Sequence, residues 1–498
     1  MTAIDRNHSS RRCAWLVLVL GLFVGLMFQG TRHLWDPDEG RYTDVAHEMV
    51  ELDDWLVPRL NPERPHFTKP PMTYWAIAAS FSVFGNNEWA ARLPNALAFA
   101  LTGLLVFGLA QRLRLETPVL AAGIWMTMWG PVIGANAVTT DTLLTLFETL
   151  AVFGFVASGI LDPDPTPRRR GVRLMWLGFG LAFLTKGPPG LLPLAAIVTF
   201  VAWRRRGCLA KLFDPIGLVL FAVTGLAWYI ALTWHSPDLL HYFLVHEVAG
   251  RVASGEHHRN AGWFGWLAVY PPAFLIGTLP WLGVAATVWW SRWRRGERAT
   301  ALDPAARRFL WLWFALPLGV FILAQSRLPF YVLPLFVPAA LALAASLGDW
   351  SGTGSKAAVA LALATVAAVS LKGVGALVHA DGDAHRLATE LRQQVDLATL
   401  DEIVFVDTPV RYGLKHYTGM TVEQVESYPG AIGPEGYVAA ETLCQELATD
   451  ERQLLIVPTR TLDEIRNRAA SCPRTLERVG TLRRWTLLRA IPEPTPAG

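Results

Sequence analysis

Arg11-Arg12-Cys13-Ala14-Trp15-Leu16-Val17-Leu18-Val19-Leu20-Gly21-Leu22-Phe23-Val24-Gly25-Leu26-Met27-Phe28 begins on two basic residues and continues as an apolar run to about residue 30. A membrane-crossing helix needs roughly 20 mostly apolar residues, and this stretch supplies one. It lacks a convincing small-residue cleavage site, so it reads as a retained first helix and not as a signal peptide. Ten more runs of the same kind follow. They lie at 94–110, 119–135, 142–161, 174–184, 190–203, 216–233, 264–290, 309–324, 331–347 and 357–378. The two runs flanking Lys186 are each short for a span. Residues 67–84 are interrupted by Pro70 and Pro71 and read as an interfacial or re-entrant segment.

Composition agrees with that reading. Of 498 residues, 52% are hydrophobic and 17% charged, with 21 Trp and 24 Phe, whereas soluble chains carry about 25% charged residues. Lipid is the main solvent. A net charge of +3 implies no nucleic-acid partner, and the basic residues matter through their placement. With the N-terminus inside, Arg112 and Arg114, Arg168 to Arg173, Arg204 to Lys211, Arg292 to Arg298 and Lys356 all fall in cytoplasmic loops. Every basic cluster of three or more then obeys the positive-inside rule. The same count places residues 379–498 outside.

That tail is polar. Residues 383–395 and 461–469 have helical spacing, and residues 402–406 and 453–457 are short β-type runs. The expectation is a transmembrane domain over 1–378 and an extracytoplasmic α/β domain over 379–498. Cys444 and Cys472, in that tail, are open to two readings, a disulfide or free thiols.

Ionisable residues that could do chemistry gather on the external side. Trp35-Asp36-Pro37-Asp38-Glu39-Gly40-Arg41-Tyr42 opens the first external loop, and Tyr42, Val45, Ala46, Met49 and Val50 form the apolar stripe of an amphipathic helix. Asp36 as N-cap, Pro37 at the first helical position and Glu39 completing a capping box would account for two acids structurally. Asp38 is left over. Lys69, ahead of two prolines, is either a snorkelling anchor or a cation set for a phosphate. Asp141 opens the fourth span as a cap or as a second carboxylate. Lys186 lies near membrane depth, where a charge suggests function. The 236–260 loop holds His257 and His258; zinc is conceivable there without diagnostic spacing, and a solvated or phosphate-binding surface is the alternative. Arg327 and Tyr331 stand just outside the tenth span. Carboxylates suit a base that activates a hydroxyl, and cations suit a departing phosphate.

The ordered set Asp38-Glu39-Gly40-Arg41-Tyr42, Asp54-Trp55-Leu56-Val57-Pro58-Arg59-Leu60, Lys69-Pro70-Pro71-Met72-Thr73-Tyr74-Trp75, Thr185-Lys186-Gly187-Pro188 and Arg327-Leu328-Pro329-Phe330-Tyr331-Val332-Leu333-Pro334 resembles the membrane glycosyltransferases of the protein O-mannosyltransferase and aminoarabinose (lipid A) transferase superfamily. The resemblance covers roughly residues 30 to 340, and the external tail is more similar to the bacterial aminoarabinose enzymes. It implies an all-α polytopic membrane protein with the GT-C fold, about 11–13 transmembrane helices and a small C-terminal extracytoplasmic α/β domain. It also implies inverting transfer of a monosaccharide from a polyprenyl-phosphate donor, undecaprenyl-linked in a bacterial inner membrane, to an acceptor such as lipid A or another envelope glycan, lipid or protein.

By the family's motifs, Asp38 and Asp141 are the catalytic acidic positions. Lys69, Lys186 and Arg327 contact the lipid phosphate, Tyr331 lines the pocket and Arg41 orients the acidic motif. The residue types of the 236–260 loop add His257 and His258 to the substrate-binding candidates. Two departures stand out. Thr68 replaces the glutamate of the family's Phe-Glu-Lys-Pro-Pro, which helps hold a metal there, so no metal is assigned beyond the alternative at His257 and His258. Arg327 stands where lysine is common, which keeps charge and changes geometry. The rival readings are a protein O-mannosyltransferase, which differs in acceptor, and a transporter or flippase of lipid-linked sugars, which would need ionisable groups at the bilayer midplane.

Overall fold

In a computed structural model, the structure describes residues 3–162, 167–243, 260, 262–296, 302–348, 354–378, 380–427, 442–449 and 452–492. Among these, seven helices are long and apolar enough to cross a bilayer, and up to nine spans result if each of two bent helix pairs is one span. Arg169–Lys186, charged at both ends, and the shorter apolar Pro188–Arg204 coincide with the fifth and sixth predicted spans. All eleven apolar runs therefore fall on helices. Residues 67–84 contain the helix Met72–Phe84, which starts directly after the two prolines.

The bent pairs show how a membrane protein tolerates a broken helix. Pro118–Thr127 and Trp129–Ala135 meet at 62°, and Gly265–Gly277 and Trp281–Arg295 meet at 78°. Each break frees backbone groups that lipid cannot satisfy. Here the two breaks satisfy one another: Trp129 N–H donates to the Leu279 carbonyl at 3.1 Å, and the Trp281 indole donates to Thr127 Oγ1 at 2.7 Å. Around them Trp125, Trp313, Phe155 and Phe309 fill the helical core.

The chain folds as two compact units. One comprises Met1–Thr31, Lys69–Ala76 and Trp89–Leu377, and the other Arg32–Thr68, Ile77–Glu88 and Val378–Gly498. The second unit holds a five-stranded sheet in the order Thr421–Val425, Glu402–Val406, Gln453–Pro458, Trp485–Pro492, Arg474–Leu482. Its first three strands run parallel and the last two pair antiparallel. Helices Ala384–Gln394 and Leu462–Ala469 stand where helical spacing predicts them, and Asp383 caps the first through its bond from Arg386 N–H. Cys444 and Cys472 are joined as a disulfide.

The same unit contains the helix Asp38–Glu51. Of its predicted stripe, Tyr42, Val45, Ala46 and Met49 are buried and Val50 is partly buried. The opposite face is covered as well, because Asp44 and Glu48 turn toward Lys415. This helix is thus packed on both sides within its unit.

Candidate active site

The first unit brings Asp141 and Lys186 together. Asp141 is the first residue of the helix Asp141–Ala157, and Lys186 is the last of Arg169–Lys186. The two helices run antiparallel, and glycines set how closely and in what register they pack. A Cβ on Gly178 would lie 2.8 Å from Ala151 Cα, and one on Gly171 would lie 2.6 Å from Ser158 Cα. Only glycine allows that approach. The second helix stops at Lys186 because Gly187 takes φ +68° and ψ −141°, and Pro188 and Pro189 cannot continue the hydrogen-bond ladder.

Lys186 Nζ hydrogen-bonds to Asp141 Oδ1. Both side chains are almost out of solvent, 9% and 7% exposed. Each charge also suits its helix end, an anion at an N-terminus and a cation at a C-terminus. Lys186 Nζ lies 4.3 Å from the Tyr331 ring centroid, a cation–π contact. Tyr331 sits in the 3-10 segment Pro329–Leu335, whose prolines hold the turn that follows Arg327. Glu148, two turns along the helix from Asp141, is a further buried carboxylate.

Arg327 is 2% exposed. Its guanidinium donates to the carbonyls of Asn260, Gly262 and Ile322, each at 2.9 Å, while Nε has no hydrogen-bond partner among the described residues. It ties Asn260 and Gly262 to the end of the Pro304–Leu323 helix. Lys69, partly buried in the same unit, stands three residues before the helix Met72–Phe84. His257 and His258 lie outside the described residues.

Asp38 and Arg41 belong to the second unit and form an i,i+3 ion pair at 2.8 Å, with Asp38 partly exposed. The capping reading of this motif is corrected. The helix begins at Asp38 and has no side-chain N-cap. Asp36 Oδ1 accepts from Gly413 N–H at 3.0 Å, and Glu39 binds the Arg32 guanidinium through both oxygens at 2.7 Å while accepting Trp35 N–H at 2.8 Å. A distant partner claims Asp36 and the neighbouring Arg32 and Trp35 claim Glu39, so Asp38 is still the carboxylate left over.

Sequence reasoning missed a polar network among the span ends. Lys372, in the last span, donates to the carbonyls of Val24 and Gly25 at 3.0 and 2.7 Å and to Gln29 Oε1 at 3.3 Å. Gln29 donates to the carbonyls of Arg92 and Ala135. Asn95 donates to those of Ala137 and Thr139, holding the non-helical approach to Asp141. An isolated lysine in an apolar run was the only available signal. Thr68 Oγ1 is hydrogen-bonded to His66 Nε2 at 2.7 Å, and among the described residues no three His, Cys, Asp or Glu form a ligand group.

The comparisons with known proteins bear on this geometry. Residues 68–234 match the family model for dolichyl-phosphate-mannose-protein mannosyltransferases. The undecaprenyl phosphate-α-4-amino-4-deoxy-L-arabinose arabinosyl transferase of Erwinia tasmaniensis is 34% identical over 361 residues, covering 70% of this chain and 62% of the relative. That of Aeromonas salmonicida is 33% identical, covering 69% and 61%. The crystal structure of ArnT from Cupriavidus metallidurans bound to undecaprenyl phosphate superposes with a TM-score of 0.69 at 20% identity, covering 95% of this chain and 97% of that one. The chain shares the fold of that structure, and its sequence is similar to the undecaprenyl phosphate-linked arabinosyl transferases. It is a multi-pass bacterial inner-membrane protein. It spans about 62% of the length of the curated relatives it matches. Asp141 and Lys186 thus form one buried pair against Tyr331, and Asp38 with Arg41 forms a second pair on the first-loop helix.

Proposed function

We propose that this protein transfers a monosaccharide, with inversion, from a polyprenyl-phosphate donor to an extracytoplasmic acceptor such as lipid A or another envelope glycan or lipid. The observation that carries this reading is the buried Asp141–Lys186 pair at the meeting of two antiparallel helices, with Tyr331 against the ammonium. A membrane-embedded ion pair is expensive and poor evidence of a stabilising role. The names of the relatives, undecaprenyl phosphate-linked arabinosyl transferases, support the donor class.

In the proposed reaction an acceptor oxygen forms a bond to the anomeric carbon as the bond from that carbon to the phosphate oxygen breaks. The polyprenyl phosphate leaves with the electron pair. For a hydroxyl acceptor, the Asp38 carboxylate takes the proton; for a phosphate acceptor it orients the nucleophile. Lys69, Lys186 and Arg327 counter the charge that grows on the departing phosphate. Arg41 holds Asp38 in place through their ion pair.

The N-terminus is read as cytoplasmic, with 1–378 as the transmembrane catalytic domain and 379–498 as the extracytoplasmic domain. The placement of basic loops supports this, and so does the Cys444–Cys472 disulfide, a bond that persists in oxidising compartments. Mass spectrometry of envelope lipids, glycans and glycoproteins with and without the protein tests the reading. One sugar lost from one acceptor is the expected result. Unchanged profiles in all three fractions would sink it.

A further inference from the structure

The C-terminal segment around Gly413–Thr418 grips the first-loop helix at points that the reaction as described above does not use. At the helix entry, Gly413 N–H donates to Asp36 Oδ1 at 3.0 Å. Gly40 and Gly413 then cross closely, since a Cβ on Gly40 would lie 2.8 Å from Gly413 Cα. On the polar face, Lys415 Nζ hydrogen-bonds to Glu48 and lies 3.8 Å from Asp44, with both acids buried and Lys415 largely so. Tyr417 holds the segment leading into the helix, accepting from Leu34 N–H at 2.8 Å and donating to Glu88 Oε1 at 2.9 Å.

These holds bracket Asp38. Asp36 precedes it by two residues, Gly40 follows by two, and Asp44 and Glu48 occupy the next turns of its helix. A short surface helix has little stability of its own. Its orientation is set by what it packs against. Here the apolar stripe takes one side and an ammonium set among buried carboxylates takes the other, and such a cation in a dry site fixes position through directed hydrogen bonds. The Asp38–Arg41 pair, by contrast, is partly exposed and lies within the helix itself, so it cannot orient the helix.

We propose that the C-terminal domain is a positioning element for the first-loop helix, and that Lys415 and Tyr417 are positioning residues that act through that helix on Asp38. This rests on the reading of Asp38 given above. Neither residue needs to touch donor or acceptor.

The test uses the full chain in lipid nanodiscs, comparing wild type with Lys415→Met, Lys415→Arg and Tyr417→Phe. Hydrogen–deuterium exchange is read on peptides covering residues 38–51 and, as a control, 141–157. In Lys415→Met the 38–51 amides are expected to exchange about tenfold faster while the control is unchanged, since local opening needs only local contacts to weaken. Turnover of a polyprenyl-phosphate sugar is expected to lose about tenfold in kcat with donor KM within about twofold, the split of a group acting on the reacting geometry and not on donor binding. Lys415→Arg restores most of both. Tyr417→Phe, which removes one hydroxyl, gives a smaller change in the same direction and serves if Lys415→Met does not fold. Unchanged exchange over 38–51 in Lys415→Met and Tyr417→Phe overturns the proposal, as does faster exchange with unchanged kcat. A wild-type protein that transfers no sugar defeats the proposed function instead, and the exchange arm still decides whether Lys415 orders the helix.

Discussion

Lys186 Nζ hydrogen-bonds to Asp141 Oδ1 where the last residue of the helix Arg169–Lys186 meets the first residue of its antiparallel neighbour, Asp141–Ala157. Forty-five residues of chain separate the two, and the contact exists because glycines let the helices pack backbone to backbone.

Removing one partner leaves a buried charge behind. Lys186→Met is expected to destabilise the protein by roughly 3–5 kcal/mol, the usual penalty for breaking a buried pair. The double variant Lys186→Met/Asp141→Asn should recover part of that loss. Thermal unfolding in one detergent, compared across the cycle, checks it. Additive losses would show that the two groups do not interact.

Gly178 carries the register. Gly178→Val places side-chain atoms where Ala151 Cα stands 2.8 Å from a bare Cβ, and the backbones must part. Overpacking of this kind costs about 1–3 kcal/mol or more. Activity is expected to fall with stability, whereas the same change at the uncrowded Gly283 should affect neither. Equal effects at both positions would contradict the packing argument.

The first-loop helix should respond to pH. Burial raises the Asp44 carboxyl to about 8 and the Asp36 carboxyl to about 7 from the ordinary 3.8, with Lys415 and Gly413 N–H respectively opposing the rise. A carboxyl raised in the folded state binds more protons folded than unfolded between these values. Stability from these two groups is therefore present at low pH and declines as pH rises from about 4 toward 7–8. Exchange over residues 38–51, corrected for intrinsic rate, is expected to be slower at pH 5.5 than at pH 8, and Asp44→Asn should flatten the dependence. A flat wild-type profile would contradict this.

The Cys444–Cys472 bond closes a loop of 28 residues. Its removal is expected to destabilise the sheet-containing segment by about 3–4 kcal/mol on the chain-entropy scale. Thermal unfolding of Cys444→Ser/Cys472→Ser against wild type measures it. Equal unfolding temperatures would mean that the bond adds nothing.

Much of the helical architecture was legible because lipid demands long apolar runs: each predicted span falls on a helix. The strands Glu402–Val406 and Gln453–Pro458 were legible as short β-branched runs. Trp485–Pro492 and Arg474–Leu482 were not, since their hairpin turns at Arg483-Arg484 without a Gly or Asn-Gly signal. Among the candidate residues, residue types alone pointed to Asp38, Asp141 and Lys186. The pairing of the last two was hidden, because it depends on helix register set by Gly171 and Gly178. The capping reading of Asp36 failed for a related reason. Local rules favoured a cap, and a partner 377 residues away won.

The central claim is sugar transfer from a lipid phosphate, with Asp38 and Lys186 in the machinery. The most direct measurement supplies purified protein in nanodiscs with an undecaprenyl-phosphate-linked radiolabelled sugar and envelope lipid acceptor, and follows the label. Wild type should move the label with inversion at the anomeric carbon. Asp38→Asn and Lys186→Met should each reduce the rate by about a hundredfold or more, the scale of a lost base or a lost charge stabiliser. Transfer at the wild-type rate by both variants would contradict the account.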